Sequence, residues 1–161
     1  MDKVLFCNLD GTLIETRSGR PYPLHSQDWK FIDKTLECIN HYHKKGYLIC
    51  IISNQDGVAA GYVHEDVFIA KIEDVCKRIE KHLSIPVNTI NYVYCTDLES
   101  FNHKPKPGMA YEFAIDREAD LRGSVMVGDS DVDKDFAFNA GIGKYMNLNE
   151  VVAVHWSNLK R

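Results

Sequence analysis

Residues 5–29 read LFCNLDGTLIETRSGRPYPLHSQDW. The run from Val4 ends in Asn8, skips Leu9, places Asp10 and turns on Gly11-Thr12. A short apolar run that stops at a turn predicts a buried strand over Val4–Asn8. Polar residues follow as far as residue 30, with Gly19, Pro21 and Pro23 among them, and predict a loop over 14–30.

Outward from this stretch, strands and helices alternate. Ile32, Leu36, Ile39 and His43 fall at helical spacing and predict a helix over 32–45, closed by Gly46. Tyr47–Ser53 (YLICIIS) is almost continuously apolar, as in a strand buried on both faces. NQDGVAAGYV then predicts a loop. Phe68, Ile72, Val75, Ile79 and Leu83 make one stripe of a helix over 64–83, with Glu73, Lys77, Glu80 and Lys81 on its other face. Further on come a strand over Ile90–Cys95, a loop holding Pro105 and Pro107, and a helix over Gly108–Ile115. A strand over Ser124–Val127, a helix over Asp131–Ala140, a strand over Gly143–Asn147 and a short helix over 149–161 complete the chain. This alternation predicts an α/β fold: a Rossmann-like parallel sheet, joined by right-handed crossovers, with helices on both faces. At 161 residues the whole length, 1–161, is expected to form a single domain with a sizeable core.

Hydrophobic residues make up 45% of the chain and charged residues 26%, the balance of a globular protein in water. No apolar stretch approaches the roughly 20 residues of a membrane span, and MDKVLFCNLDG lacks the pattern of a secretory leader. A cytoplasmic or nuclear protein, not secreted and with no membrane partner, is expected. Five cysteines without a CxxC pair predict reduced, buried thiols. A net charge of −4 gives no bulk attraction to nucleic acid, so basic chemistry has to be local: Arg17, Arg20, Lys104 and Lys106.

Parallel sheets bind ligands beyond the carboxyl ends of their strands. After the first strand stand Asn8, Asp10, Gly11 and Thr12, and after the second Ser53, Asn54 and Gln55. Past the third lies Lys104, and after the fourth come Asp129, Ser130, Asp131 and Asp133. A hydroxyl, a lysine and several acids at one end of a sheet suit phosphoryl transfer. Acids hold a magnesium ion, a lysine and main-chain N–H groups neutralise phosphate oxygens, one carboxylate attacks phosphorus and a second moves a proton. Each residue also has a plainer reading. A Ser after a strand is ordinary turn chemistry, and acids opening a helix cap it and complement its dipole. His41 and His43, two apart on a helix, do not face each other, which disfavours zinc.

Four segments, NLDGTL from Asn8, IISN with Ser53, the KP pair at Lys104 and VGDSDVD with Asp129 and Asp133, resemble the four motifs of the haloacid dehalogenase superfamily of phosphatases. The resemblance runs from residue 4 to about 141, in order and at the expected strand ends. It implies that position 8 is the nucleophile and a magnesium ligand. Asp10 becomes the general acid/base, with its carbonyl on the metal. Gly11, Thr12, Ser53 and Asn54 receive the phosphate, and Lys104 holds both nucleophile and phosphate, with Lys106 as the rival. Asp129 becomes a magnesium ligand, and Asp133 supports the metal or the lysine.

The nucleophile position holds Asn8. An amide oxygen is a far poorer nucleophile than a carboxylate, so this chain is expected to be inactive. Either it is a natural phosphate-ester-binding relative or an active enzyme was changed at residue 8. The rest of the site is intact, which favours the second.

TRSGRPYP followed by Asp28-Trp29 resembles the loop of polynucleotide 3′-phosphatases, and GYLICIISNQDGVAAG is similar to the matching segment of that group. This implies a 3′-phosphate end of DNA or RNA as partner, with Arg17 and Arg20 on its phosphates and Tyr22 or Trp29 stacked on a base. The plainer reading is a packed loop. The NQDG element is shared with histidinol-phosphate and heptose-bisphosphate phosphatases, so a small phosphorylated molecule is the alternative substrate. No kinase phosphate loop, GxxxxGK[ST], occurs. About twenty residues between Thr12 and the first helix are too few for a helical cap domain, so a capless site is expected, open to a large substrate or closed by a second subunit in an oligomer.

Overall fold

A computed structural model describes residues 1–150. Five parallel strands form the sheet: β1 (Val4–Asn8), β4 (Leu48–Asn54), β5 (Ile90–Cys95), β6 (Val125–Gly128) and β7 (Lys144–Asn147), in the order β5-β4-β1-β6-β7. β1 is central. Its Phe6 lies beside Cys50 of β4 on one side and Met126 of β6 on the other. The chain thus leaves the sheet middle, fills one half with β4 and β5, and returns to fill the other half.

Alternate side chains of each strand feed two cores. Leu5 and Cys7 of β1 join Ile49, Ile51, Val125 and Val127 beneath the helices α1 (Asp33–Lys44) and α3 (Glu65–Leu83). Val4 and Phe6 join Cys50, Ile52 and Met126 beneath α4 (Gly108–Ile115) and α5 (Asp131–Ala140). Burial on both faces is why β1 and β4 read as unbroken apolar runs. Phe6 meets Phe113 of α4 edge-on at 6.1 Å between ring centres. The α3 stripe buries Phe68, Ile72, Val75 and Ile79, with Leu83 partly buried.

The structure corrects the expectations in four places. The loop expected over 14–30 begins and ends in two short antiparallel strands, β2 (Ile14–Glu15) and β3 (Lys30–Phe31). The segment after β4 contains a one-turn helix, α2 (Asp56–Ala59). Glu80 is not on a solvated face: it is buried, and its carboxylate accepts the Ile90 N–H at 2.9 Å. Ser130, rather than an acid, caps α5, accepting from the Asp133 N–H. The helix expected over 149–161 lies, beyond a 3₁₀ turn at Leu148–Glu150, outside the described residues.

Only the β2–β3 ribbon and its loop separate β1 from α1, and only α2 and α3 separate β4 from β5. The site therefore has no cap domain over it. All five cysteines are buried and unbridged. Burial pushes the Cys76 thiol up to about 12 and holds those of Cys7, Cys38 and Cys50 well above their ordinary value. Among the described residues no helix is long and apolar enough to cross a membrane.

Candidate active site

The turn after β1 brings residue 8 to the centre of the site. Gly11 has φ +86°, and a Cβ there would come within 2.7 Å of Asp129 Oδ2. Glycine is therefore required for the turn to close against the end of β6. Thr12 is buried, and its hydroxyl donates to Asp129 Oδ1 at 2.7 Å. The Asn8 amide Nδ2 lies 2.9 Å from the same oxygen and 2.9 Å from the Asp10 carbonyl. Its Oδ1 accepts from Lys104 Nζ at 2.8 Å. Lys104 also reaches Asp133 Oδ1 at 2.7 Å and the Ile52 carbonyl. The lysine and Asp133 side chains are 3% and 2% exposed, so the pair is shielded from water and salt. The other Asp133 oxygen accepts from the Asp129 N–H and the Ser130 hydroxyl, which leaves Asp133 serving Lys104 and the turn. Lys106 lies elsewhere, donating to the Glu99 and Ser100 carbonyls. Of the two lysines, Lys104 is the one that reaches residue 8.

The Asp10 carboxylate is held by Gln55, placed at a strand end by the sequence but given no role, and by Lys71, which the sequence did not single out. Gln55 Nε2 donates to its Oδ2 at 2.9 Å, and Lys71 Nζ lies 3.3 Å from its Oδ1. Lys71 comes from α3, and its side chain is 3% exposed. A signal was present: residue 71 sits within the apolar stripe, between Phe68, Ile72 and Val75, where a lysine has no reason to be unless a carboxylate meets it. Gln55 also donates to the buried Ser53 hydroxyl at 2.7 Å, linking the end of β4 to Asp10. The Asn54 side chain bonds the Lys104 main chain in both directions, at 3.0 and 2.9 Å, and fixes the loop that delivers the lysine. His103 reaches Asp56 at 2.8 Å and ties that loop to α2.

Beside Asp10 lies a cleft of about 180 Å³, lined by Pro21, Tyr22 and Pro23 of the loop, Asp56 and Gly57 of α2, and Lys71 of α3. Tyr22 stacks on Tyr62 at 5.2 Å and lies so close to Gly57 that a Cβ there would meet its ring at 2.7 Å. A wider depression, about 380 Å³, lies along β5 beside α4, lined by Asn88, Glu112 and Arg117 among others, and includes none of the strand-end residues. Asp28 is the fastener of the 16–29 loop. It accepts from the Ser18 N–H and hydroxyl at 2.8 and 2.6 Å and from the Leu24 N–H at 2.9 Å. Those bonds, the Ser18 hydroxyl foremost and then Leu24, pull its carboxyl down to about 2. Trp29 is buried in the core, edge-on to Phe31 and beneath the Arg78 guanidinium, so it cannot stack on a base. Arg17 and Arg20 are exposed and do not line the cleft.

Of the residues expected to hold magnesium, Asn8, Asp129 and the Asp10 carbonyl converge, while Asp133 is turned to Lys104. Asp133 is spent on Lys104, the Asp10 carboxylate on Gln55 and Lys71, and residue 8 turns N–H groups toward Asp129 and the Asp10 carbonyl. Among the described residues no three His, Cys, Asp or Glu side chains gather closely enough to hold a metal ion. The Asn8 amide hydrogens lie among these oxygens, where a divalent cation would ask for the oxygens bare.

Fold and strand ends together place the chain among the haloacid dehalogenase-type phosphatases. It belongs to the family described as polynucleotide kinase 3 phosphatase, which matches residues 3–147. A D-glycero-alpha-D-manno-heptose-1,7-bisphosphate 7-phosphatase of Campylobacter jejuni is 30% identical, covering 92% of this chain and 83% of its own. A D-glycero-beta-D-manno-heptose-1,7-bisphosphate 7-phosphatase of Haemophilus influenzae is 29% identical, covering 94% and 82%. The crystal structure of a D,D-heptose 1,7-bisphosphate phosphatase from B. bronchiseptica, complexed with magnesium and phosphate, matches with a TM-score of 0.73 at 22% identity, over 89% of this chain and 79% of that one. These relatives overturn the expected partner, a 3′-phosphate end of DNA or RNA: they are named for heptose bisphosphates. The physical reason for the misreading is that the 16–29 loop is packed on itself by Asp28 and on the core by Trp29, rather than laid out as a nucleic-acid surface.

Proposed function

We propose that the chain binds a small phosphorylated sugar, with phosphate at the end of β1 and the sugar in the adjoining cleft, and that with Asn8 it holds the ester without cleaving it. The observation that carries this reading is the cleft itself. At about 180 Å³ it is smaller than the roughly 300–1,000 Å³ that drug-sized ligands fill, and suits a small sugar phosphate. The heptose-bisphosphate relatives support it.

In this reading Lys104 neutralises a phosphate oxygen, while the Ser53 hydroxyl, the Asn54 main chain and the Gly11-Thr12 turn receive the others. Asp10, half exposed to the cleft, stands where it can pass a proton to the departing sugar oxygen. Aspartate at position 8 would supply the attack on phosphorus and an acyl-phosphate intermediate; the neutral Asn8 amide, held by Lys104, does not. The magnesium expectation attaches to that aspartate form.

The test is kcat/KM of the Asn8→Asp protein on heptose 1,7-bisphosphate and on a 3′-phosphorylated oligonucleotide, with Tyr22→Ala alongside. The sugar phosphate is expected to win by at least about tenfold, and Tyr22→Ala to raise its KM by about tenfold with kcat retained. Preference for the oligonucleotide would refute the reading.

A further inference from the structure

The Asn8 amide sits where oxygens converge. One side, Oδ1, faces the Lys104 ammonium at 2.8 Å. The other, Nδ2, faces the Asp10 carbonyl and Asp129 Oδ1, both at 2.9 Å, with the Thr12 hydroxyl at 3.2 Å. The surroundings dictate this orientation. Turned over, the amide would aim its N–H groups at an ammonium and its oxygen at a carboxylate. The two hydrogens of Nδ2 therefore serve two acceptors, and the Thr12 hydroxyl gives Asp129 Oδ1 a second donor at 2.7 Å.

A carboxylate at position 8 would keep the Lys104 contact but present its second oxygen to the Asp10 carbonyl and Asp129 Oδ1. Three oxygens would then meet with the Thr12 hydroxyl as their one remaining donor, surroundings that a hard divalent cation satisfies. The charge balance moves the same way. Asp10, Asp129 and Asp133 against Lys71 and Lys104 leave one formal negative charge, and aspartate at 8 would leave two.

We propose that the Asn8 amide takes the place of the cation: its N–H groups close the oxygen cluster of Asp10 and Asp129, so this chain assembles its site without metal, whereas aspartate at position 8 makes the cluster depend on a divalent cation. The proposal is independent of which phosphate ester the cleft accepts. It adds to the loss of the nucleophile a loss of the metal site through the same atom.

The experiment is thermal unfolding and titration calorimetry with magnesium chloride as the only ligand, after chelation, on the full chain and on Asn8→Asp. The Asn8 chain is expected to shift its Tm by less than about 1 °C in millimolar magnesium and to give no binding heat. Asn8→Asp is expected to melt several degrees lower in chelator and to gain about 3–6 °C at magnesium tenfold above its dissociation constant. If Asn8→Asp folds only with magnesium, the dependence is shown in its strongest form. Should it fail to fold at all, the side-chain amide protons of Asn8 decide: protected from exchange and unmoved by magnesium supports the proposal. Magnesium binding to the Asn8 chain as tight as to Asn8→Asp, or displacement of those amide signals by magnesium, overturns it.

Discussion

Lys104 and Asp133 show what one residue can carry at this site. Their side chains are buried, 2.7 Å apart, and the same ammonium holds Asn8. Breaking a buried pair strands the survivor's charge, which costs about 3–5 kcal/mol, whereas replacing both members by apolar groups can be close to neutral. Lys104→Met is therefore expected to lose about 3–5 kcal/mol in urea denaturation, and Lys104→Met/Asp133→Leu to recover most of it. A Lys104→Met loss under about 1 kcal/mol would mean that water reaches Asp133. Lys104 was preferred over Lys106 because its KP pair resembles the family motif, and it is Lys104 that meets residue 8. Gln55 was placed at a strand end without a role, and Lys71 was not singled out. Their roles come from the folded meeting of α3 with the β1 turn, 61 residues apart in sequence for Lys71 and Asp10.

At the scale of the element, the 16–29 loop is the instructive case. Its TRSGRPYP and Asp28-Trp29 pattern was visible, but the pattern does not say which way the side chains turn. Asp28 turns inward to fasten Ser18 and Leu24, and Trp29 turns into the core. The Asp28 carboxyl, ordinarily near 3.8, is held at about 2 by those bonds. A lowered carboxyl stabilises the folded state fully above its ordinary value and loses that contribution as pH falls toward 2. Between about pH 4 and pH 2, Tm should fall more steeply for the unaltered chain than for Asp28→Asn, which should already melt lower at pH 5. Parallel curves across that range would show that the loop is fastened by something else. The strands and long helices were legible to within a residue or two, because continuous apolar runs and a 3.6-residue stripe leave little choice. The two-residue strands β2 and β3 and the one-turn helix α2 were not: they are too short to carry a period, and tertiary pairing makes them.

At the scale of the whole molecule, the order β5-β4-β1-β6-β7 gathers the ends of β1, β4 and β6, and the loop after β5, at one edge of the sheet. Residues more than a hundred positions apart, such as Asn8 and Asp129, meet there. That convergence was legible from the alternation of strands and helices, which puts the strands' carboxyl ends at one edge, as was the absence of a cap from the short connections. The size of the cleft was not, since it depends on Tyr22 lying against Gly57 and stacking on Tyr62. In the proposed reading, residue 8 withholds the reaction from a phosphatase scaffold. The most direct measurement is phosphate release from one sugar phosphate by the Asn8 chain and by Asn8→Asp, side by side in magnesium. Removing a nucleophile that acts as part of a unit costs at least about 10³-fold, so Asn8→Asp should release phosphate and the Asn8 chain should fall below it by that factor or more. Equal rates from the two proteins would contradict the account.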